Sequence, residues 1–201
     1  MDLYAMKGAL NARLEPVVDW LAWTGVTPDQ VTLAAVPVAM VGGACLLLSP
    51  SIPWLLLLVP VLVVVRIVLN LIDGSMARRT GRTHARGELY NELGDRLADV
   101  ALLAPVAFLP GALPQIVLLG VLVGVMASYV GITAKAAGGE RIYRGILSKP
   151  GRMALLVACC LWAFAAGPAD TLAWAAFGPL LLAGTTLTLL ERIAVAVRRL
   201  P

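Results

Sequence analysis

The sequence PWLLLLVPVLVVVRIVLNLI, residues 53–72, contains one charged residue, Arg66, in twenty positions. An α-helix needs about 20 predominantly apolar residues to cross the hydrocarbon core of a bilayer. The whole chain is 60% hydrophobic and 14% charged, whereas soluble domains carry about 25% charged residues. With this run, the sequence predicts an all-α integral membrane protein with six transmembrane helices, at residues 30–48, 53–72, 87–109, 114–136, 152–166 and 171–195.

The residues before the first predicted span are amphipathic. Residues 3–23 mix Leu, Val and Trp with the charged side chains Lys7, Arg13, Glu15 and Asp19. Such a mixture is typical of a helix lying in the membrane interface. A second helix should begin with Thr27 as N-cap, Pro28 at its first position and Gln30 closing a capping box. We therefore expect an amphipathic juxtamembrane helix over residues 1–26 and a transmembrane domain over residues 27–201.

The basic residues are sorted to one side of this topology. The loops at residues 49–52, 110–113 and 167–170 contain no Lys or Arg. Cytoplasmic segments of membrane proteins carry an excess of Lys and Arg. The bases lie instead in the segments that follow the second and fourth spans and in the C-terminal segment, at Arg78, Arg79, Arg82, Arg86, Lys135, Arg141, Arg144, Lys149, Arg152, Arg192, Arg198 and Arg199. We therefore expect a bacterial inner-membrane protein with both termini and the active site in the cytoplasm.

Acidic and amide side chains lie inside the second and third predicted spans. Asn91, Asp95 and Asp99 follow one another at four-residue spacing and share a helix face, and Asn70 and Asp73 do so on the preceding helix. Ionisable groups within a membrane indicate a functional site, and oxygen ligands without His or Cys suit a hard cation such as Mg²⁺ or Mn²⁺. A structural alternative is an internal salt-bridge network, in which Arg66 and Arg96 neutralise Asp95 and Asp99.

These residues form a motif of fixed spacing. Residues 70–78 read NLIDGSMAR, eight residues follow, and residues 87–95 read GELYNELGD. The pattern resembles the signature of the CDP-alcohol phosphotransferase family, D-x-x-D-G-x-x-A-R-x(8)-G-x-x-x-D-x-x-x-D, with Asn70 and Asn91 at two of its four aspartate positions. The segment GVTPDQVT, residues 25–32, is similar to the one that opens the family's first span.

The resemblance implies a reaction. Family members use divalent cations to bind the diphosphate of a CDP-linked donor, usually CDP-diacylglycerol, and an alcohol attacks the lipid-side phosphorus as CMP leaves. It implies phospholipid biosynthesis, a homodimer, membrane lipid as surroundings and no nucleic-acid partner. Asp95 would be the general base. By the same resemblance, one or two ions of Mg²⁺ or Mn²⁺ would be held by Asp73, Asp95, Asn70 and Asn91, with Glu92 as a further candidate. The nucleotide diphosphate would be held by Asp73, Gly74, Ala77, Arg78 and Gly87.

The two asparagines leave two interpretations open. Each removes a negative charge while its amide oxygen can still ligate a hard cation. Either Glu92, Asp99 and the donor diphosphate supply the missing charge, or the protein binds a CDP-lipid or nucleotide without turnover. A transporter is disfavoured, because the acids lie near one face rather than at the midplane. Small-residue helix packing is the alternative role for the motif glycines Gly74 and Gly87.

A second basic cluster lies between the fourth and fifth predicted spans. Clustered Arg and Lys bind phosphate, so this segment is a candidate subsite for a phosphorylated acceptor. Ordinary positive-inside charge and attraction to anionic lipids explain it equally well. The residues concerned are Lys135, Arg141, Arg144, Lys149 and Arg152.

Overall fold

A computed structural model describes residues 14–81, 85–167 and 169–199, and the described residues form a helical bundle. The helices are α1 (residues 14–23), α2 (Pro28–Leu48), α3 (Leu55–Arg79), α4 (Ala85–Leu103), α5 (Pro114–Ala136), α6 (Lys149–Ala166) and α7 (Leu172–Arg199), with a 3₁₀ helix, η1, at Ala104–Phe108.

Five of these helices are long and apolar enough to cross a membrane, namely α2, α3, α5, α6 and α7. They coincide with five of the six predicted spans. Helix α4 falls short by composition, since it carries six charged side chains in 19 residues. The count of six transmembrane helices therefore stays a prediction.

The third predicted span is not one continuous α-helix. It was expected over residues 87–109, but the α-helix ends at Leu103 and continues as η1. Pro105 accounts for the change, because proline has no N–H to donate to the carbonyl four residues earlier. That carbonyl belongs to Ala101, and Gly43 of α2 packs directly against it.

Helix α2 packs along both α3 and α4, whereas α3 and α4 make few close backbone approaches to each other. Helix α7 packs along α5, and α6 connects this pair to α3. The apolar core includes Leu46, Val59, Leu102, Leu156 and Phe177, each fully buried. Because α2 stands between them, α3 and α4 are separated by a cleft that only side chains bridge.

The three loops without Lys or Arg lie at the same end of the bundle. Residues of all three line one small cavity of about 190 Å³, among them Ser49, Pro110 and Asp170. The alternation of the helices therefore agrees with the sorting of bases seen in the sequence.

The start of α2 has the predicted cap. The Gln30 backbone N–H donates to the Thr27 hydroxyl at 3.3 Å, and the Thr27 N–H donates to the Gln30 side-chain oxygen at 2.9 Å. In α1, Val18 is buried against α2 and α3, at the end of the bundle that is predicted to face the cytoplasm. Trp20 and Trp23 are exposed. Lys7 and Arg13 lie outside the described residues, so the interfacial helix stays a prediction.

Adding one methyl group at Gly43 should destabilise the bundle. A Cβ there would collide with the Ala101 carbonyl and lie 3.0 Å from the Pro105 ring, and overpacking of a tight contact costs roughly 1–3 kcal/mol. Gly94→Ala is the matched control on the same pair of helices, because its Cβ would meet nothing closer than the Val36 side chain at 3.7 Å. We expect Gly43→Ala, but not Gly94→Ala, to lower the thermal midpoint in detergent. An equal loss in both variants would contradict this packing.

Candidate active site

The cleft between α3 and α4 is a cavity of about 590 Å³. Helix α2 forms its back wall. Six of the motif residues predicted from the sequence line it together. The full lining is Pro28, Asp29, Thr32, Asn70, Asp73, Gly74, Ala77, Ala85, Gly87, Glu88 and Asn91.

Asp73 lies buried at the α2 side of this cleft. The Thr32 hydroxyl, on α2, donates to Asp73 Oδ2 at 2.7 Å. Among the described residues, no Lys or Arg forms an ion pair with Asp73. A buried carboxylate held by a neutral hydroxyl has no directly paired base, and burial of a charge without such a partner is costly. Asp73 is therefore the acid of the cleft that most favours a bound cation.

Asp95, on α4, faces α3 as predicted, but it already has partners. The Asn70 side-chain N–H donates to Asp95 Oδ1 at 3.1 Å. The Lys149 ammonium, at the start of α6, forms an ion pair with the same oxygen. Asp95 thus has a directly paired base, whereas the hydrogen bond to Asp73 comes from a neutral hydroxyl.

Asp99, one turn further along α4, is clamped between two arginines. Arg66 of α3 and Arg152 of α6 each donate to one carboxylate oxygen at 2.6 Å. Arg66 also donates to the backbone oxygen of Asp95 at 3.2 Å. Both guanidinium groups are at most 2% exposed, and ionised donor–acceptor pairs make strong, short hydrogen bonds. The Arg66 part of the predicted salt-bridge network is confirmed, whereas Arg96 pairs elsewhere.

Glu92 is not brought into the cleft. Its carboxylate pairs with Arg96 at 3.1 Å and with Arg141, which follows α5. It lines a separate, largely apolar cavity of about 600 Å³ between α4 and α5. The physical reason is that Glu92 and Asn91 point to different sides of α4, and the bases near α5 hold Glu92 on its own side.

The five bases of the predicted acceptor subsite all form ion pairs within the chain. Each pairs with a different carboxylate, and Arg152 is buried with Asp99 rather than open to a soluble acceptor. At the edge of a bilayer an isolated charge is expensive, so each base takes an acidic partner. The pairs are Lys135–Glu88, Arg141–Glu92, Arg144–Glu191, Lys149–Asp95 and Arg152–Asp99.

Four of the five residues predicted to hold a diphosphate line the cleft, namely Asp73, Gly74, Ala77 and Gly87, whereas Arg78 is not part of its lining. The Arg78 guanidinium lies 3.4 Å from where a Cβ on Gly74 would be and donates to the Ser75 hydroxyl at 3.2 Å. Because Gly74 has no side chain, the space beside the Arg78 guanidinium group is left free of a Cβ atom. The spacing rules identified these residues, but they missed Thr32, although it lies in the family-like segment at residues 25–32.

A family model described as CDP-alcohol phosphatidyltransferase matches residues 25–196. Inner membrane protein YnbA of Escherichia coli (strain K12) is 34% identical over 152 residues, 76% of this chain and 75% of that protein. The phosphatidylinositol phosphate synthase of Mycolicibacterium smegmatis is 28% identical over 163 residues, 78% of this chain and 71% of that protein.

Solved structures share the fold. The phosphatidylinositol phosphate synthase of Mycobacterium tuberculosis, in complex with manganese and citrate, has a TM-score of 0.77 at 19% identity and covers 92% of this chain and 88% of its own. The same synthase with CDP-DAG bound also has a TM-score of 0.77, at 20% identity over 92% and 93% of the two chains.

Removing the charge of Asp99 should destabilise the protein strongly. Asp99→Asn leaves two buried guanidinium groups without their shared carboxylate, and breaking a buried ion pair costs roughly 3–5 kcal/mol. The control is Glu140→Gln, because the Glu140–Arg199 pair is solvent-exposed at 3.6 Å and such pairs contribute about 0–1 kcal/mol. Thermal unfolding in detergent checks both variants. Equal midpoints for Asp99→Asn and Glu140→Gln would show that the clamp does not stabilise the bundle.

Proposed function

The chain belongs to the CDP-alcohol phosphatidyltransferase family, and from this membership we propose that it transfers a phosphatidyl group from CDP-diacylglycerol to an alcohol and releases CMP. One observation carries the proposal: six of the eight motif residues of α3 and α4 line a single cavity, and Asp95 lies against Asn70 of that lining. A relative that is 28% identical is a phosphatidylinositol phosphate synthase, and a protein of the same fold has been solved with CDP-DAG bound. The reaction belongs to phospholipid biosynthesis.

The outer part of the cleft suits the diphosphate of the donor. Gly74 and Ala77 present little side-chain bulk, and Gly87 stands opposite them on the same cavity. Arginine recognises phosphate oxygens through its planar fork of N–H donors, and Arg78 lies beside Gly74. We assign the nucleotide diphosphate to this part of the cavity, with Arg78 as its clamp.

The oxygen donors of the cleft fit a hard divalent cation. Asp73 offers a carboxylate, and Asn70 and Asn91 offer amide oxygens, at the wall of one cavity; such ligands suit Mg²⁺ and Mn²⁺. Mg²⁺ or Mn²⁺ bound there would neutralise charge on the diphosphate and on the departing CMP.

Asp95 is the proposed base. The acceptor hydroxyl oxygen forms a bond to the lipid-side phosphorus, the bond from that phosphorus to the bridging oxygen of CMP breaks, and the hydroxyl proton passes to the Asp95 carboxylate. Lys149 and the Asn70 amide hold this carboxylate in position. Proton removal by a positioned side chain contributes about 10²–10⁴-fold to a rate.

The donor lipid fixes where the reaction would occur. Five helices of the chain are apolar enough to cross a membrane, so the acyl chains of CDP-diacylglycerol and the cleft share the same bilayer. Arg78 and Arg79 end α3 next to the cleft, and bases mark the cytoplasmic side. We propose that the cleft opens to the cytoplasm.

Purified protein should release CMP from CDP-diacylglycerol in the presence of Mn²⁺ and the correct alcohol. Testing glycerol and inositol beside their phosphorylated forms, and serine, would identify the acceptor class. Asp73→Asn and Asp95→Asn should each lower the rate by about 10²–10⁴-fold, because the first removes a proposed metal ligand and the second removes the proposed base. Glu140→Gln, in an exposed ion pair, should retain the wild-type rate.

A binding protein without turnover is the second candidate, and the ion pair of Lys149 with Asp95 favours it. Binding of CDP that persists in EDTA, together with no CMP release for any alcohol, would support this candidate. Undiminished CMP release by Asp95→Asn would contradict the role of Asp95 as base.

A further inference from the structure

The cleft contains less negative charge than the motif of its family would supply. Asn70 and Asn91 replace two aspartates, which leaves Asp73 and Asp95 as the motif carboxylates. Within residues 14–81, 85–167 and 169–199, no three Asp, Glu, His or Cys side chains converge so that they could hold a metal ion. The number of divalent cations that this cleft can bind therefore depends on the charges of the side chains around it.

The environment of Asp95 is already positive. Asp95 and Asp99 face three cations, namely Arg66, Arg152 and Lys149. Two carboxylates against three bases make the group net positive before any metal binds. Arg66 and Arg152 are buried, so dissolved salt screens their charges only weakly. A divalent ion at Asp95 would have to enter against this charge and displace the Lys149 ammonium.

The environment of Asp73 is different. Its carboxylate is buried, and its hydrogen bond comes from the neutral Thr32 hydroxyl. The described residues contain no ion-pair partner for it. Asn70 and Asn91 line the same cavity, and their amide oxygens add ligands without adding charge.

We propose that the cleft binds one divalent cation, at Asp73, and that the Lys149 ammonium, paired with Asp95, takes the place of a second divalent cation. This inference rests on the proposed metal-dependent function and deepens it. The family resemblance alone leaves one or two ions open, whereas the pairing of Lys149 with Asp95 selects one. The ammonium is covalently part of α6, so a chelator cannot remove this part of the site's positive charge.

The number of bound ions tests this directly. Mn²⁺ titration of the purified full chain in nanodiscs, followed by electron paramagnetic resonance and repeated with CDP-diacylglycerol, should give one ion per chain and the spectrum of an isolated Mn²⁺. Two ions of similar affinity, or the spectrum of a coupled Mn²⁺ pair, would overturn the proposal.

A variant series tests the part played by Lys149. Asn70→Asp with Asn91→Asp restores both carboxylates, and adding Lys149→Met then removes the resident cation. We expect the triple variant to bind a second Mn²⁺ at least about tenfold more tightly than the double variant, because a nearby positive charge opposes the ion. Adding Arg144→Met instead is the control, since Arg144 pairs with Glu191 outside the cleft. A triple variant that still binds one ion, or an equal gain from Arg144→Met, would refute the role of Lys149.

The same titration separates this inference from the proposed function. Two Mn²⁺ ions in a wild-type protein that releases CMP would overturn the single-cation proposal alone. No Mn²⁺ binding and no CMP release would overturn both. One ion with metal-dependent CMP release supports both.

Discussion

The Asp99 carboxylate, shared between two buried guanidinium groups, is the interaction on which the rest of the site depends. Arg66 belongs to α3, Asp99 to α4 and Arg152 to α6, so a single carboxylate joins three helices. In a membrane bundle such charges must pair internally. The clamp fixes the rotation of α4, and Asp95, one turn earlier, must then face α3. Arg66 adds a direct link by donating to the backbone oxygen of Asp95.

The cleft exists because α2 keeps α3 and α4 apart. Its faces toward them contain small residues, including Thr32, Gly42 and Gly43, which let the helices approach closely. Helix α2 therefore has two functions: it spaces the acid-bearing helices, and it supplies the hydroxyl that holds Asp73. The clamp closes the inner end of the gap between α3 and α4, and the outer end remains open at Gly74 and Gly87. A polar cavity at one end of an apolar bundle is the result.

Much of this architecture follows from local sequence rules. Apolar runs identified the helices, the capping box at Thr27 identified the start of α2, and four-residue spacing identified the shared face of Asn91 and Asp95. Such rules describe one helix at a time, so they could not predict which base approaches which acid. The pairing of Lys149 with Asp95 joins residues 54 apart in the sequence and depends on how α6 packs. The same limit explains why Glu92, close to Asp95 in the sequence, turned out to lie in another cavity.

We propose that α3 and α4 present a cation site at Asp73, within the cleft to which we assign the donor diphosphate. Anomalous diffraction at the manganese edge, from crystals grown with Mn²⁺ and CDP-diacylglycerol, locates the ion without reference to activity. The account predicts that the strongest peak lies about 2.1 Å from an Asp73 carboxylate oxygen, facing Asn91. A strongest peak beside Glu92, or no peak at Asp73 while the nucleotide occupies the cleft, would contradict it.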